Sequence, residues 1–226
     1  MNKEGKNNNT IITYLLIIFM IICQIFRYKT VYIESNKVLE ISISNLLYPI
    51  TFIIILILKN KTDFKEAHNT IIKTCILFLI FMSVISLLNI IPANTNGRQI
   101  DMAIKQIFTP SYHIFNKQII YYPNIIDLIT YTLLFYFSHT IMLILYEAME
   151  PYANTFITYF LSMFIPLALD ALCFITINDV FNEIEFNTMI IHLTSNFVIV
   201  IISTIILSII YIIIYKKVRF KSSKTV

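Results

Sequence analysis

The chain has 226 residues, of which 58% are hydrophobic and 13% are charged, and its formal net charge is +4. An average soluble domain carries about 25% charged residues, so this chain has too little charge to cover a surface that faces water. Its Lys and Arg residues flank apolar segments instead of forming one basic patch, which excludes a nucleic-acid-binding face and indicates a lipid environment.

Six apolar runs follow one another along the chain, at 11–26, 41–58, 70–91, 125–146, 155–177 and 189–215. Most reach or approach the ~20 residues that a helix needs to cross a bilayer. In lipid a helix satisfies its own backbone hydrogen bonds, whereas an isolated strand does not. The sequence therefore predicts an all-α membrane protein, a bundle of six transmembrane helices over 11–215, with tails at 1–10 and 216–226.

The first run is the shortest, and it follows Lys3 and Lys6 as the apolar part of a signal peptide would. No small-residue cleavage site comes after it, because the chain continues Gln24-Ile-Phe-Arg-Tyr-Lys. We therefore expect a retained first helix.

The cations favour one direction of insertion. If six spans alternate, 11 Lys and Arg residues lie on the side of the two termini and 6 lie on the opposite side. Because loops rich in Lys and Arg stay inside the cell, we expect a multi-pass protein of the cell membrane with both termini in the cytoplasm. The loops after the fourth and fifth runs contain no Lys or Arg and do not bear on this.

The longest loop lies between Pro92 and Pro123 and is expected outside. Residues 100–108 place four apolar side chains at helical spacing, which is typical of an amphipathic helix on the membrane surface. A plain solvated loop fits the same residues, and both alternatives stay open.

A few polar residues interrupt the runs, where they are energetically expensive. Asp170 follows Ser162 and Pro166 at four-residue intervals, so the three share one helix face. That face either lines a cavity that contacts a solute or holds a hydrogen-bonded aspartate that fixes helix packing. His139 in the fourth run has the same two interpretations, and Pro49 predicts a kink in the second.

The sequence gives no sign of catalysis, and we expect neither enzyme activity nor a cofactor or metal. The chain has 2 Gly, which excludes the glycine-rich phosphate and dinucleotide loops. Its 4 His form no His-Glu-x-x-His cluster, and its 3 Cys lie in three different runs.

Two strings carry a resemblance to a known family, Asn45-Leu-Leu-Tyr-Pro-Ile-Thr-Phe52 and Ser162-Met-Phe-Ile-Pro-Leu-Ala-Leu-Asp-Ala-Leu-Cys-Phe174. Their order and spacing resemble the second and fifth helices of the queuosine-precursor transporter family, also called the vitamin-uptake-transporter (VUT) family. The resemblance implies a six-helix importer of a small heterocyclic precursor or vitamin-like solute, such as a deazaguanine. It implies substrate contacts at the following positions: Tyr48, Phe52, Ser138, His139, Ser162, Asp170 and Phe174.

The resemblance also implies the partners: the lipid bilayer, a small-molecule substrate and, for a carrier of the energy-coupling kind, a separate energy-coupling subunit. After Phe52 the acidic residues of the family are replaced by the apolar run 53–58. A non-transporting membrane scaffold or an immunity-type protein is therefore the alternative, in which the same polar groups only join helices.

Overall fold

The structure, a computed structural model, describes residues 3–26, 30–34, 38–90, 111–114, 117–120, 125–181 and 185–222. Within these ranges the chain forms six helices, namely α1 (Lys3–Phe26), α2 (Ile43–Lys59), α3 (Phe64–Ile90), α4 (Ile125–Met149), α5 (Thr155–Phe181) and α6 (Phe186–Ser222). One helix lies over each of the six apolar runs, so their helical conformation is confirmed.

Two short hairpins precede α2 and α4. Strand β1 (Thr30–Glu34) pairs with β2 (Val38–Ser42), and β3 (Ser111–Ile114) pairs with β4 (Lys117–Ile120), both antiparallel. Helix α2 begins at Ile43, two residues after the start of the second run, because residues 41–42 pair with β1. The second hairpin lies in the long predicted loop. The segment 100–108 lies outside the described residues, as does the last residue of the third run.

Four of the six helices contain segments that are long and apolar enough to cross a bilayer, namely Phe64–Val84, Leu128–Met149, Thr155–Ile177 and Phe186–Ile213. The apolar parts of α1 and α2 are shorter, at Thr10–Gln24 and Ser44–Lys59. Isoleucines such as Ile202, Ile206 and Ile213 are exposed along α6. Such apolar surfaces are stable against lipid and not against water, and the chain is a membrane-embedded helical protein.

Helix α2 is the centre of the bundle. The other helices pack in the order α1, α3, α4, α5, α6, and α2 contacts all five. Its side chains reflect this position, since Phe52, Ile55 and Leu56 are fully buried. Because neighbouring helices surround α2 on most sides, its polar residues lie between helices as well.

Contacts between helices give their relative directions. Asn45 of α2 hydrogen-bonds Asn196 of α6, and Asn60, directly after α2, hydrogen-bonds Tyr211 of α6, so α2 and α6 run parallel. Helix α4 runs parallel to α2 as well, because Tyr48 contacts Ser138 and Lys59 contacts Glu147. Helices α3 and α5 follow α2 and α4 after the short loops 60–63 and 150–154 and run the opposite way.

Hydroxyl groups inside the helices are mostly satisfied locally. Several donate to the carbonyl four residues earlier, which is the usual arrangement for Ser and Thr in apolar helices: Thr70, Thr74, Thr132, Thr194, Ser195 and Thr204. A polar residue within a run therefore marks a site only where it contacts another helix.

Candidate functional site

The centre of α2 supplies the first part of a polar cluster. Pro49 lies in the helix interior and has no N–H for the carbonyl of Asn45, four residues earlier. The preceding Tyr48 and the following Thr51 are both buried. The Thr51 hydroxyl lies 2.6 Å from the Tyr48 carbonyl. The cluster thus sits next to the one position in α2 where the regular hydrogen-bond ladder is interrupted.

Three helices meet at the Tyr48 hydroxyl. It lies 3.0 Å from Ser138 Oγ on α4 and 3.5 Å from Asp170 Oδ1 on α5. A phenol has one hydrogen, so Tyr48 donates either to Ser138 or to Asp170, and Ser138 in turn lies 3.2 Å from the Phe135 carbonyl. The contact with Asp170 is the longest of these. It is therefore the contact that a competing N–H donor from a solute would replace most readily.

His139 joins the cluster one residue after Ser138. Its Nδ1 lies 2.8 Å from the Phe135 carbonyl, and its Nε2 lies 2.9 Å from Thr51 Oγ1. The residue is fully buried. Two rings enclose the imidazole, with centroid distances of 4.1 Å to Phe52 and 4.0 Å to Phe135. His139 therefore connects α2 to α4 by both hydrogen bonds and ring contacts.

Aromatic rings form one side of the cluster. The Tyr48 ring lies 5.7 Å from Phe52 and 6.2 Å from each of Tyr131 and Phe135. Tyr131 in turn contacts Phe78 of α3 at 5.7 Å. Planar π-faces next to a carboxylate and hydroxyls suit a flat heterocycle that carries N–H groups, since the rings take its face and the oxygens take its edge.

The structure brings five of the seven predicted site residues together: Tyr48, Phe52, Ser138, His139 and Asp170. Ser162 does not join them through its own side chain, whose hydroxyl donates to the Tyr159 carbonyl at 3.2 Å. It lies about 12 Å from Asp170 along α5. Phe174 is half buried and lies one turn beyond Asp170. Thr51, Phe135 and Tyr131 belong to the site and were not among the predicted substrate contacts.

A second polar cluster lies at the end of the bundle where α2 ends, which we call the Lys59 end. We call this second cluster the tyrosine cluster, and it consists of Tyr146, Tyr159, Tyr211, Asn60 and Glu150. The Tyr146 hydroxyl lies 2.9 Å from Asn60 Oδ1, 3.2 Å from Glu150 Oε1 and 3.3 Å from the Tyr159 hydroxyl. Asn60 also hydrogen-bonds Tyr211, whose ring lies 4.2 Å from that of Tyr159.

The sequence analysis assigns no role to these three tyrosines, because tyrosines near the ends of apolar runs are commonly anchors at the membrane surface. All three rings are instead 2% exposed. A usable signal was present, since Tyr146, Tyr159 and Tyr211 each lie close to the same predicted face of the membrane if the helices alternate.

Neither cluster resembles a metal centre. Among the residues that the structure describes, no group of three or more His, Cys, Asp and Glu is arranged to hold a metal ion. Asp170 supplies the acidic group of the first cluster, and hydroxyls, an imidazole and π-faces supply the rest. By its chemistry, this set suits hydrogen-bond donors and flat rings.

Comparison with protein-family models, with curated proteins and with solved structures finds no match. The resemblance to the queuosine-precursor transporter family therefore stays a prediction, based on the two strings around Tyr48 and Asp170.

Proposed function

We propose that the protein is a six-span membrane transporter that imports a small heterocyclic solute, of the class of deazaguanine precursors and vitamins, through the site formed by Tyr48, Ser138 and Asp170. The observation that carries the proposal is the convergence of these three side chains from three different helices. Carriers bind their solutes between helices near the middle of the membrane, often where a helix is interrupted.

Alternating helix directions support six crossings. Helices α2, α4 and α6 run one way, while α3 and α5 run the other way. The 17 residues of α2 span about 26 Å, which is a little less than the hydrocarbon core. A short helix at the centre of a bundle is accommodated by local thinning of the bilayer at modest cost.

The chemistry of the site supports a heterocyclic solute. Asp170 and the two hydroxyls accept hydrogen bonds from ring N–H and amino groups, and the half-buried Tyr131 ring, 6.2 Å from the Tyr48 ring, offers a face for stacking. A carboxylate within an apolar helix is expensive unless it is paired or hydrated. Recognition of a solute gives this carboxylate a role beyond its contact with Tyr48.

The test is binding and uptake by Asp170→Asn and Tyr48→Phe variants. The probes are a panel of deazaguanines, purines and vitamins in thermal-shift measurements, followed by uptake in cells that depend on salvage of a deazaguanine precursor. A hydrogen bond to a charged group contributes about 1.5–3 kcal/mol, so Asp170→Asn should reduce uptake about ten- to hundredfold.

Glu147→Gln is the matched control, because Glu147 is an acid on α4 that is 52% exposed and pairs with Lys59 at 3.3 Å. An exposed ion pair contributes little, and uptake should stay within about twofold of the parent. Normal uptake by Asp170→Asn would overturn the proposed role of Asp170.

A scaffold or immunity-type protein is the second candidate function, and one observation favours it. His139 and Thr51 are fully buried and bonded to each other, as in a site built for packing. This alternative predicts that no solute on the panel raises the melting temperature. It also predicts that Asp170→Asn lowers stability without any change in transport.

A further inference from the structure

The tyrosine cluster lies in line with the candidate site, at the Lys59 end. From Ser138 to Tyr146 the distance along α4 is about 12 Å, and from Asp170 to Tyr159 along α5 it is about 16 Å. The cluster ties together the loop after α2 and three helices, because Asn60 bonds both Tyr146 and Tyr211 while Tyr146 contacts Tyr159. A solute that leaves the site toward this end has to pass it.

An apolar layer lies between the two clusters. Leu56, Met142 and Met163 come from α2, α4 and α5, each lies about one turn from a cluster residue on its own helix, and each is fully buried. The structure is therefore closed between the candidate site and the Lys59 end. Methionine suits a layer that has to repack, since its unbranched side chain adapts to different surroundings.

A serine on α6 lies one turn before the tyrosine cluster. Ser208 is fully buried, and in the described part of the chain its hydroxyl has no hydrogen-bond partner. A buried hydroxyl without a partner is unfavourable and calls for an explanation. Contact with water or solute in a second state of the protein supplies one, because the hydroxyl is then paired for part of the transport cycle.

The bonds of the cluster are of a kind that can open. They join hydroxyl and amide groups, which exchange protein partners for water at little net cost. The Lys59–Glu147 pair beside them is partly exposed and contributes little to closure. Apolar side chains that interlock between helices differ in this respect, because water does not replace their contacts.

We propose that the tyrosine cluster is a gate that closes the candidate site from the Lys59 end, and that Ser208 lines the route which it closes. This inference rests on the proposed function, since a gate has meaning only if a solute passes. In the structure the gate is shut.

The test measures the accessibility of position 208 in lipid nanodiscs, where both membrane faces meet the reagent. Ser208→Cys is treated with a positively charged methanethiosulfonate, alone and combined with Tyr146→Phe or with Asn60→Ala. Each gate variant removes shared hydrogen bonds, so we expect modification about tenfold faster than in Ser208→Cys alone. The same variants without Ser208→Cys give the background from the native cysteines at 23, 75 and 173.

Two controls separate gating from general loosening. Tyr136→Phe removes a tyrosine hydroxyl that bonds His68 outside the cluster and should leave the rate at 208 unchanged. Ser44→Cys reports on the opposite end of α2, where Ser44 is buried, and its rate should not rise in the gate variants.

The proposal is overturned if both gate variants modify position 208 at the parental rate, or if positions 44 and 208 become faster together. If one gate variant does not yield monodisperse protein, the other decides. No solute is needed, so this result stands apart from uptake: failure here removes the gate alone, whereas failure of binding removes the proposed function.

Discussion

At the scale of single residues, His139 and Thr51 show how tightly the hydrogen bonds of the site are coupled. The Phe135 carbonyl only accepts, so Nδ1 of His139 carries a hydrogen. Thr51 has one hydroxyl hydrogen but two acceptors within reach, Nε2 at 2.9 Å and the Tyr48 carbonyl at 2.6 Å. It donates to one of them at a time. A change at Thr51 therefore alters both the imidazole and the backbone beside Pro49.

His139 is expected to be important for stability whether or not a solute binds at the site. His139→Ala leaves a cavity between two phenyl rings and removes two hydrogen bonds, so it should lower the free energy of unfolding by about 3 kcal/mol. The measurement is the temperature at which half of the detergent-solubilised protein remains monodisperse.

His68→Ala is the control for that substitution. His68 is half buried and bonds Tyr136 at 3.3 Å, and its loss should cost about 1 kcal/mol or less. Equal effects of the two substitutions would contradict the central role given to His139.

At the scale of elements, α6 differs from the other helices in the residues that it buries. Its buried side chains include Ser195, Ser203, Thr204 and Ser208, while isoleucines cover the outside. Small residues allow helices to approach closely in a membrane, where apolar burial alone gives little driving force. The face of α6 toward α2 and α5 is therefore held by close packing.

Ser208 provides a test of this packing. Ser208→Ala removes a buried hydroxyl that has no partner among the described residues, so stability should stay the same or rise by about 1 kcal/mol. Ser208→Leu overfills the same position and should cost about 1–3 kcal/mol. Thermal unfolding in one detergent compares the two variants.

Ser203→Ala serves as the matched control, because the Ser203 hydroxyl donates to the Val200 carbonyl at 3.1 Å. Its loss should lower stability slightly. A larger loss for Ser208→Ala than for Ser203→Ala would show that Ser208 is paired in the folded protein.

The helices were predicted well from the sequence, because the surrounding lipid determines their conformation. Six apolar runs became six helices because lipid leaves the backbone few other choices. The hairpin at β2 was missed since its residues 41–42 continue the apolar run into α2, and hydropathy alone does not separate a strand from the helix after it. The boundary depends on the pairing of β2 with β1, and the hydropathy of a single run gives no information about that pairing.

The candidate site was predictable in part for a similar reason. Asp170, Ser138 and His139 stand out because they are polar where polar residues are costly. Phe135 and Tyr131 do not stand out, since aromatic residues are common in such helices, and only the packing of α2 against α4 gives them a role. The tyrosine cluster depends on how the loop after α2 and the helices α4, α5 and α6 pack together.

At the scale of the whole molecule, the Lys59 end gathers features that the cation count assigned to the cytoplasm. The ends of α2 and α4 meet there through Lys59 and Glu147, and Tyr211 brings the last part of α6 to the same end. The exposed residues Lys61 and Lys65 flank this surface. We therefore expect the Lys59 end to face the cytoplasm.

Tyr152 allows a direct test of that orientation, because it is 91% exposed in the loop after α4. A Tyr152→Cys variant should resist a membrane-impermeant maleimide in intact cells and react in inverted vesicles. Parental protein, whose Cys23 and Cys75 are buried, gives the background. Labelling in intact cells at the rate seen in inverted vesicles would reverse the predicted orientation.

The two hydrogen bonds that join α2 and the residue after it to α6 also have a consequence for biosynthesis. Asn45 meets Asn196 and Asn60 meets Tyr211, and each pair is separated by 151 residues. During synthesis the second helix enters the membrane long before the sixth is made. The amides of Asn45 and Asn60 therefore lack these partners, in lipid or at its edge, until α6 is inserted. A chain that stops before α6 keeps them without these partners, and we expect the cell's membrane quality control to degrade it while the full-length chain persists.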